Sequence, residues 1–115
     1  MLKKEYRLQK KYQFNYVYRV GKTVSGKLFV LYFCPSKNKN VKIGISVSHK
    51  VGNAVVRNKT KRRIREAIRP HLKNIKTNFN IVLLAKTTIA DSTFETMSQE
   101  IEFLLNKAQL FKDTQ

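Results

Sequence analysis

Acidic residues are scarce over most of the chain. Seven Asp and Glu residues stand against 24 Lys and Arg residues in a sequence of 115, which gives a formal net charge of +17. Residues 1–86 contain only Glu5 and Glu66 among 22 basic side chains, whereas residues 87–115 carry five acids and two lysines. A nuclease that cleaves with its own metal ions needs clustered carboxylates, which residues 1–86 do not supply. The charge instead predicts a polyanionic partner that the last segment does not contact.

Cysteine and long apolar runs are scarce too. The lone Cys34 excludes an internal disulfide and a cysteine-based metal site. No apolar run approaches the ~18 residues that span a membrane, and the polar start over residues 1–5 does not resemble the apolar core of a signal peptide. With 42% hydrophobic residues, the sequence predicts one folded domain over residues 1–115. We expect a cytoplasmic protein without a membrane partner.

Hydrophobic periodicity and turn residues predict seven elements after an extended arm over residues 1–9. They are a helix over 10–20, a short strand over 23–25, strands over 27–34 and 41–49, a helix over 53–69, a strand over 80–85, and a helix that begins with a capping box formed by Ser92 and Glu95. This order predicts an α+β fold, a two-layer sandwich with helices packed on a four-stranded sheet. Strands 27–34 and 41–49 are expected to pair antiparallel through their short turn.

The first predicted helix is unusually aromatic. Phe14 and Tyr18 lie four residues apart in one row, and Tyr12, Tyr16 and Val20 form a second row. A helix this short needs only one apolar face to dock on the rest of the fold. The pattern therefore predicts that one row packs and that the other stays available for contact with a partner. The alternative, in which all of these side chains belong to the core, stays open on the sequence alone.

Two further faces follow from the spacing of apolar residues. In strand 41–49, aliphatic residues alternate with Lys42, Gly44, Ser46 and Ser48. A face of glycine and serine is too small for a core, and it predicts a shallow floor that another element or a nucleic-acid strand approaches closely. The predicted core face of the last helix consists of Phe94, Met97, Ile101, Leu104, Leu105, Ala108 and Phe111. Its acids are expected on the outer face, where they would keep RNA away.

The helix predicted over 53–69 is basic along most of its length. Asn53 is the expected N-cap, Pro70 is the expected stop, and the expected apolar face is Val56, Thr60, Ile64, Ala67 and Ile68. Arg57, Lys61 and Arg65 form one stripe along roughly 12 Å of helix. Like charges at this spacing destabilise an isolated helix, so the stripe predicts binding to phosphates. A solvated charged face is the alternative, but such faces usually mix charges of both signs.

The order of residues from Val51 to Arg65, V-G-N-A-V-V-R-N-K-T-K-R-R-I-R, resembles the signature of the protein subunit of bacterial ribonuclease P. Lys59 stands where that family normally has arginine, which keeps the charge but loses a bidentate fork. The resemblance extends over nearly the whole chain. It implies the α+β fold with an uncommon left-handed crossover around the basic helix, although crossovers are generally right-handed.

The resemblance also implies a function. In that family a catalytic RNA and its Mg²⁺ ions cleave the 5′ leader from precursor tRNA, so the chain itself is expected to carry no catalytic residue and no metal site, and the RNA to hold most of the Mg²⁺. The residues that match the motif and are expected to contact the catalytic RNA are Arg57, Asn58, Lys59, Lys61, Arg62 and Arg65. A cleft for the single-stranded leader is implied at Phe14, Tyr18 and Tyr32, with Lys61 and Arg65 as its cationic wall. The expected results are tighter precursor binding and a lower Mg²⁺ requirement.

Three other functions are compatible with parts of the sequence. A non-catalytic RNA-binding or RNA-chaperone module of ribosomal-protein type fits the charge and the fold, and only the spacing of the motif argues against it. A helix-turn-helix DNA reader has a companion helix before its recognition helix, but an alternating strand precedes the basic helix here, so no DNA partner is expected. A nuclease without metal would need an acid–base pair, and His49 and His71 have no obvious orienting acid nearby.

Overall fold

Three helices pack around one four-stranded sheet. The computed structural model describes residues 2–112, with helices α1 (Lys11–Val20), α2 (Ala54–Ile68) and α3 (Phe94–Lys107) and strands β1 (Lys22–Ser25), β2 (Phe29–Pro35), β3 (Lys42–Val47) and β4 (Phe79–Ala85). Short 3-10 turns lie at Lys4–Tyr6, His49–Val51, Arg69–Asn74 and Thr87–Asp91. The α+β class, the four-stranded sheet and the order of the elements are confirmed. Within residues 2–112, no helix is both long and apolar enough to span a lipid bilayer.

The strands lie in the order β1-β2-β4-β3. β2 pairs antiparallel with both β1 and β4, and β3 pairs parallel with β4. The predicted antiparallel pairing of strands 27–34 and 41–49 is therefore wrong, because β4 lies between them. Ile81, Val82 and Leu83 are fully buried, so β4 needs a neighbour on each edge and cover on each face. The parallel pair requires a crossover, which α2 provides, and the left-handedness of that crossover stays a prediction.

Helices cover both faces of the sheet. Ile81 and Leu83 of β4 belong to the main core, to which α2 and α3 also contribute. Val82 points to the opposite face and packs in a smaller cluster with Val17 of α1 and Cys34 of β2. The predicted two-layer arrangement is therefore extended by α1, which adds a partial third layer on the other face.

The bounds of α2 lie close to those predicted. Asn53 Oδ1 accepts a hydrogen bond from the Val56 N–H at 3.0 Å, which confirms the N-cap. The helix ends at Ile68, and the 3-10 turn that follows contains Pro70. Four of the five residues predicted for the apolar face are buried, namely Thr60, Ile64, Ala67 and Ile68. Val56 is 41% exposed instead, since it lies in the first turn and packs beside Gly52.

The start of α3 differs from the prediction. Thr93 is the N-cap, because its Oγ1 accepts the Thr96 N–H at 3.1 Å. Ser92 ends the preceding 3-10 turn, and its hydroxyl donates to the Ile89 carbonyl at 2.7 Å, so it is not available as a cap. Phe94, the first residue of the helix, is 43% exposed rather than in the core. The rest of the predicted face is buried or partly buried, namely Met97, Ile101, Leu104, Leu105, Ala108 and Phe111.

One acid of α3 points inward. The Glu100 carboxylate accepts the backbone N–H groups of Lys27, Leu28 and Phe29 at 2.9, 2.7 and 2.8 Å. These donors lie at the start of β2, so the carboxylate fixes the β1–β2 connection to α3. The expectation that all acids of this helix face outward is wrong for Glu100, although Glu95 and Glu102 are exposed.

The arm before α1 pairs with the free edge of β3. Arg7 forms a parallel bridge with Ile43, and the Leu8 N–H donates to the Ile43 carbonyl at 3.0 Å. The arm is thus extended at Arg7 but not throughout, since Lys4–Tyr6 form a 3-10 turn. This pairing covers part of an otherwise open sheet edge and brings the side chain of Arg7 towards α2.

Candidate nucleic-acid interface

A cleft of about 320 Å³ lies between the arm, α1, β3 and α2. Its lining residues are Leu2, Arg7, Leu8, Gln9, Phe14, Ile43, Ile45, Lys61 and Arg65. Three of the five residues predicted for leader binding therefore meet in one place, namely Phe14, Lys61 and Arg65. The cleft combines an aromatic ring and aliphatic side chains with three cations and has no acid in its lining.

The other two predicted cleft residues lie apart from this lining. Tyr18 and Tyr32 contact each other edge to face, with ring centroids 4.8 Å apart and ring planes at 78°. Both rings are partly buried against the small cluster of Val17, Cys34 and Val82. They occupy the same face of the sheet as Phe14, where the next turn of α1 crosses β2.

The floor beneath Phe14 is the backbone of Gly44. A Cβ atom on residue 44 would lie 2.6 Å from Phe14 Cε2 and 3.2 Å from Leu8 Cδ1. The sequence predicted that another element would approach the Gly and Ser face of this strand closely, and α1 does so with its phenylalanine. Glycine is needed here because any larger side chain would displace the ring.

The two aromatic rows of α1 have different environments. Phe14 and Tyr18 pack partly against the sheet, whereas Tyr12 is 70% and Tyr16 is 49% exposed. The prediction that one row packs and the other stays available is confirmed, and the alternative of an all-core helix is wrong. The row assigned to leader binding is the packed one, so Phe14 offers only part of its ring to the cleft.

The six α2 residues predicted to contact the catalytic RNA fall into two groups by exposure. Arg57, Lys61 and Arg65 are half-buried, and the last two line the cleft. Asn58, Lys59 and Arg62 are exposed. One helix therefore presents two cations to the cleft and a polar, basic surface to solvent.

Arg7 is a cleft residue that the sequence did not reveal. Burial and the adjacent positive charge of Arg7 lower the pKa of Arg65 from its usual value. Like charges held this close favour binding of an anion between them. The Nε atoms of Arg7 and Arg57 are buried and have no hydrogen-bond partner within residues 2–112. Only the pairing of the arm with β3 identifies Arg7, because it lies 58 positions from Arg65 in the sequence.

Acidic and metal-binding groups are sparse around this surface. In the part of the chain from residue 2 to 112, no cluster of three or more His, Cys, Asp or Glu side chains is arranged to hold a metal ion. Glu66, the one acid of α2, forms an ion pair with Arg69 in which Oε2 and Nε are 2.9 Å apart. The surface is therefore suited to binding an anion rather than to holding a cation.

Comparisons with known proteins agree on one family. The family model described as Ribonuclease P matches residues 2–109. The chain is 39% identical over 109 residues to the ribonuclease P protein component of Clostridium botulinum (strain 657 / Type Ba4), covering 94% of this chain and 98% of that protein. It is also similar to two solved structures. The ribonuclease P protein of Staphylococcus aureus has a TM-score of 0.85 and 37% identity, over 93% of this chain and 98% of that one. The protein from Thermotoga maritima has a TM-score of 0.80 and 28% identity, over 88% and 96%.

Proposed function

This chain belongs to the ribonuclease P protein family, and we propose that it serves as the protein subunit of a ribonucleoprotein that removes the 5′ leader from precursor tRNA in the cytoplasm. The catalytic RNA performs the cleavage, and the protein alone is inactive. The observation that best supports this proposal is the cleft in which Phe14 meets the cations of Arg7, Lys61 and Arg65.

The cleft binds the single-stranded leader. Phe14 offers part of an aromatic ring to a base, and a base stacked on such a ring contributes about 1–3 kcal/mol with little preference for sequence. Arg7, Lys61 and Arg65 contact the leader phosphates beside it, since they are the cations of the lining. Tyr18 and Tyr32 support the adjoining part of the same sheet face, where their edge-to-face contact fixes both rings.

The exposed side of α2 binds the catalytic RNA. Asn58, Lys59 and Arg62 point to solvent, where the backbone of a folded RNA has access to them. Arg57 lies in the half-buried row and contributes its guanidinium group. Arginine can hold a phosphate with two parallel hydrogen bonds, so Arg57 and Arg62 define the geometry more strictly than Lys59.

Mg²⁺ is the cofactor of the reaction, and the RNA holds most of it. Magnesium prefers oxygen ligands, mainly carboxylates and phosphates, but the cleft lining is cationic and contains no carboxylate. The residues that line the cleft therefore do not fit the metal. Their positive charge instead replaces counterions around the RNA, so the assembled enzyme requires less Mg²⁺ than the RNA alone.

A Phe14→Ala variant tests leader binding in the enzyme assembled with a bacterial ribonuclease P RNA. Affinity for a precursor tRNA should fall about fivefold or more, since one stack is lost, while affinity for mature tRNA stays the same. The matched control is Phe103→Ala, which removes an exposed ring from α3. An equal loss for precursor and mature tRNA would assign Phe14 to the fold alone. RNA binding without any effect on cleavage would favour an RNA-binding or RNA-chaperone module.

A further inference from the structure

The second aromatic row of α1 faces away from the cleft. Tyr12 is 70% and Tyr16 is 49% exposed, and they lie one helical turn apart on the side of the helix opposite Phe14. Neither ring belongs to the core or lines the cleft. Two large rings side by side form an exposed patch, which is more informative than a single exposed apolar side chain.

These rings line a groove of about 530 Å³. Its residues are Tyr12, Gln13, Asn15, Tyr16, Arg19 and Asn80. The guanidinium carbon of Arg19 lies 5.6 Å from the centroid of the Tyr16 ring, a cation–π distance. The groove thus combines two aromatic faces, a cation and three amide side chains.

The charge around the groove is positive. Residues 6–65 contain no acid, and the basic side chains on and next to α1 are Lys10, Lys11, Arg19 and Lys22. Aromatic faces beside cations are the combination that binds single-stranded nucleic acid, because every base can stack and every nucleotide carries a phosphate. Amide side chains can donate to and accept from base edges without selecting one base. A polyanion with exposed bases complements this surface better than an apolar protein partner does.

We propose that Tyr12, Tyr16 and Arg19 form a second binding surface, here named the tyrosine platform, for the part of the 5′ leader upstream of the segment in the cleft. This proposal rests on the proposed function. The cleft and the groove meet at the start of α1, since Gln9 lines the cleft, Gln13 lines the groove, and Gln13 Oε1 accepts the Gln9 N–H at 2.9 Å. A strand that leaves the cleft around this helix end reaches Tyr12 first and Tyr16 next.

The experiment uses the full chain assembled with a bacterial ribonuclease P RNA and three ligands: mature tRNA and precursors with leaders of about 4 and about 16 nucleotides, the size range of single-strand sites. In the Y12A/Y16A variant, affinity for the long leader should fall about 30-fold, as expected for two exposed stacks at the weak end of their range. The loss should be confined to that ligand. The Y12F/Y16F variant keeps both rings and should retain wild-type affinity.

The matched control is Val20→Ala, which shortens another exposed apolar side chain of the same row without removing a ring. Thermal unfolding of each variant checks that the fold is intact, as expected for exposed positions. Equal affinity of Y12A/Y16A and wild type for the long leader would overturn the platform. Weaker assembly with the catalytic RNA as the only effect of the substitutions would overturn it too.

Phe14→Ala in the same assay separates the two proposals. If Phe14→Ala weakens both precursors while Y12A/Y16A changes nothing, leader binding stands and the tyrosine platform is wrong. If neither variant distinguishes precursor from mature tRNA, the proposed leader-binding function fails, and the platform fails with it.

Discussion

The Phe14 ring lies so close to Gly44 that a Cβ atom on residue 44 would be 2.6 Å from Phe14 Cε2. One glycine of β3 thus determines how closely α1 packs on the sheet and where the Phe14 ring lies in the cleft. The contact links a residue without a side chain to the candidate binding site.

A Gly44→Ala substitution should therefore push the Phe14 ring out of the cleft. The ring is the mobile end of a side chain, so we expect a fold that survives with about 1–3 kcal/mol less stability. Precursor affinity of the assembled enzyme should fall about fivefold or more, as for loss of the ring itself, with mature tRNA unaffected. Ser46→Ala is the control, since residue 46 lies on the same face of β3 and gains no bulk. Unchanged precursor affinity in a folded Gly44→Ala variant would show that the position of the Phe14 ring does not affect leader binding.

Arg62→Ala should weaken assembly with the catalytic RNA and reduce its salt dependence. Arg62 is exposed on α2, and removing one cation that binds a phosphate should lower the magnitude of the slope of log K against log salt by about one. The measurement is the affinity of the chain for a bacterial ribonuclease P RNA over a range of KCl concentrations. Lys107→Ala removes an exposed cation from α3 and should leave the slope as it is. A slope unchanged by Arg62→Ala would show that this residue does not bind a phosphate.

Glu100→Ala should destabilise the fold without changing the structure of the cleft. The carboxylate accepts three backbone N–H groups at the start of β2, two of them partly buried, and the loss of these hydrogen bonds should lower the free energy of unfolding by about 2 kcal/mol. Urea unfolding measures the change, and hydrogen exchange should accelerate at Leu28 and Phe29. Glu102→Ala, which removes an exposed acid from the same helix, should have little effect. Equal stability of the two variants would contradict the role of Glu100.

The buried thiol of Cys34 should make stability depend on pH in the alkaline range. Burial raises the pKa of Cys34 above its ordinary value of 9.0, so the unfolded chain loses this proton more readily than the folded chain. The stabilising contribution is fully present below the ordinary value and is lost as pH rises towards the folded pKa. The free energy of unfolding of the wild type should exceed that of Cys34→Ala by about 1 kcal/mol at neutral pH and by less at high pH. A difference that stays constant or grows with pH would contradict this.

Local patterns predicted most of the elements because they depend on neighbours in the chain. The spacing of apolar residues identified α2 and its Asn53 cap, and the continuous apolar run identified β4 as a strand buried on both faces. The pairing of β2 with β3 was wrong, since a short turn favours a hairpin but cannot reveal that a strand later in the chain lies between the two. The order of strands depends on which one most needs burial, and this is a property of the whole sheet.

The candidate site was predicted in part, through the resemblance to the ribonuclease P protein family. That resemblance implied a cleft with Phe14, Lys61 and Arg65, and the structure brings these three residues together. Arg7 lies in an arm that the sequence predicted only to be extended, so only its pairing with Ile43 places it in the cleft. The inward direction of Glu100 was missed because its partners are backbone N–H groups more than 70 residues away, which no side-chain pattern marks.

The most direct test of the proposed function is cleavage of a precursor tRNA at low Mg²⁺ with three samples: the protein alone, a bacterial ribonuclease P RNA alone, and the two together. Cleavage at the mature 5′ end in the mixture only is the predicted result, since the RNA carries the chemistry and the protein supplies positive charge and the leader cleft. Cleavage by the protein alone would reveal an active site in the chain. A mixture no more active than the RNA alone would contradict the role of a subunit.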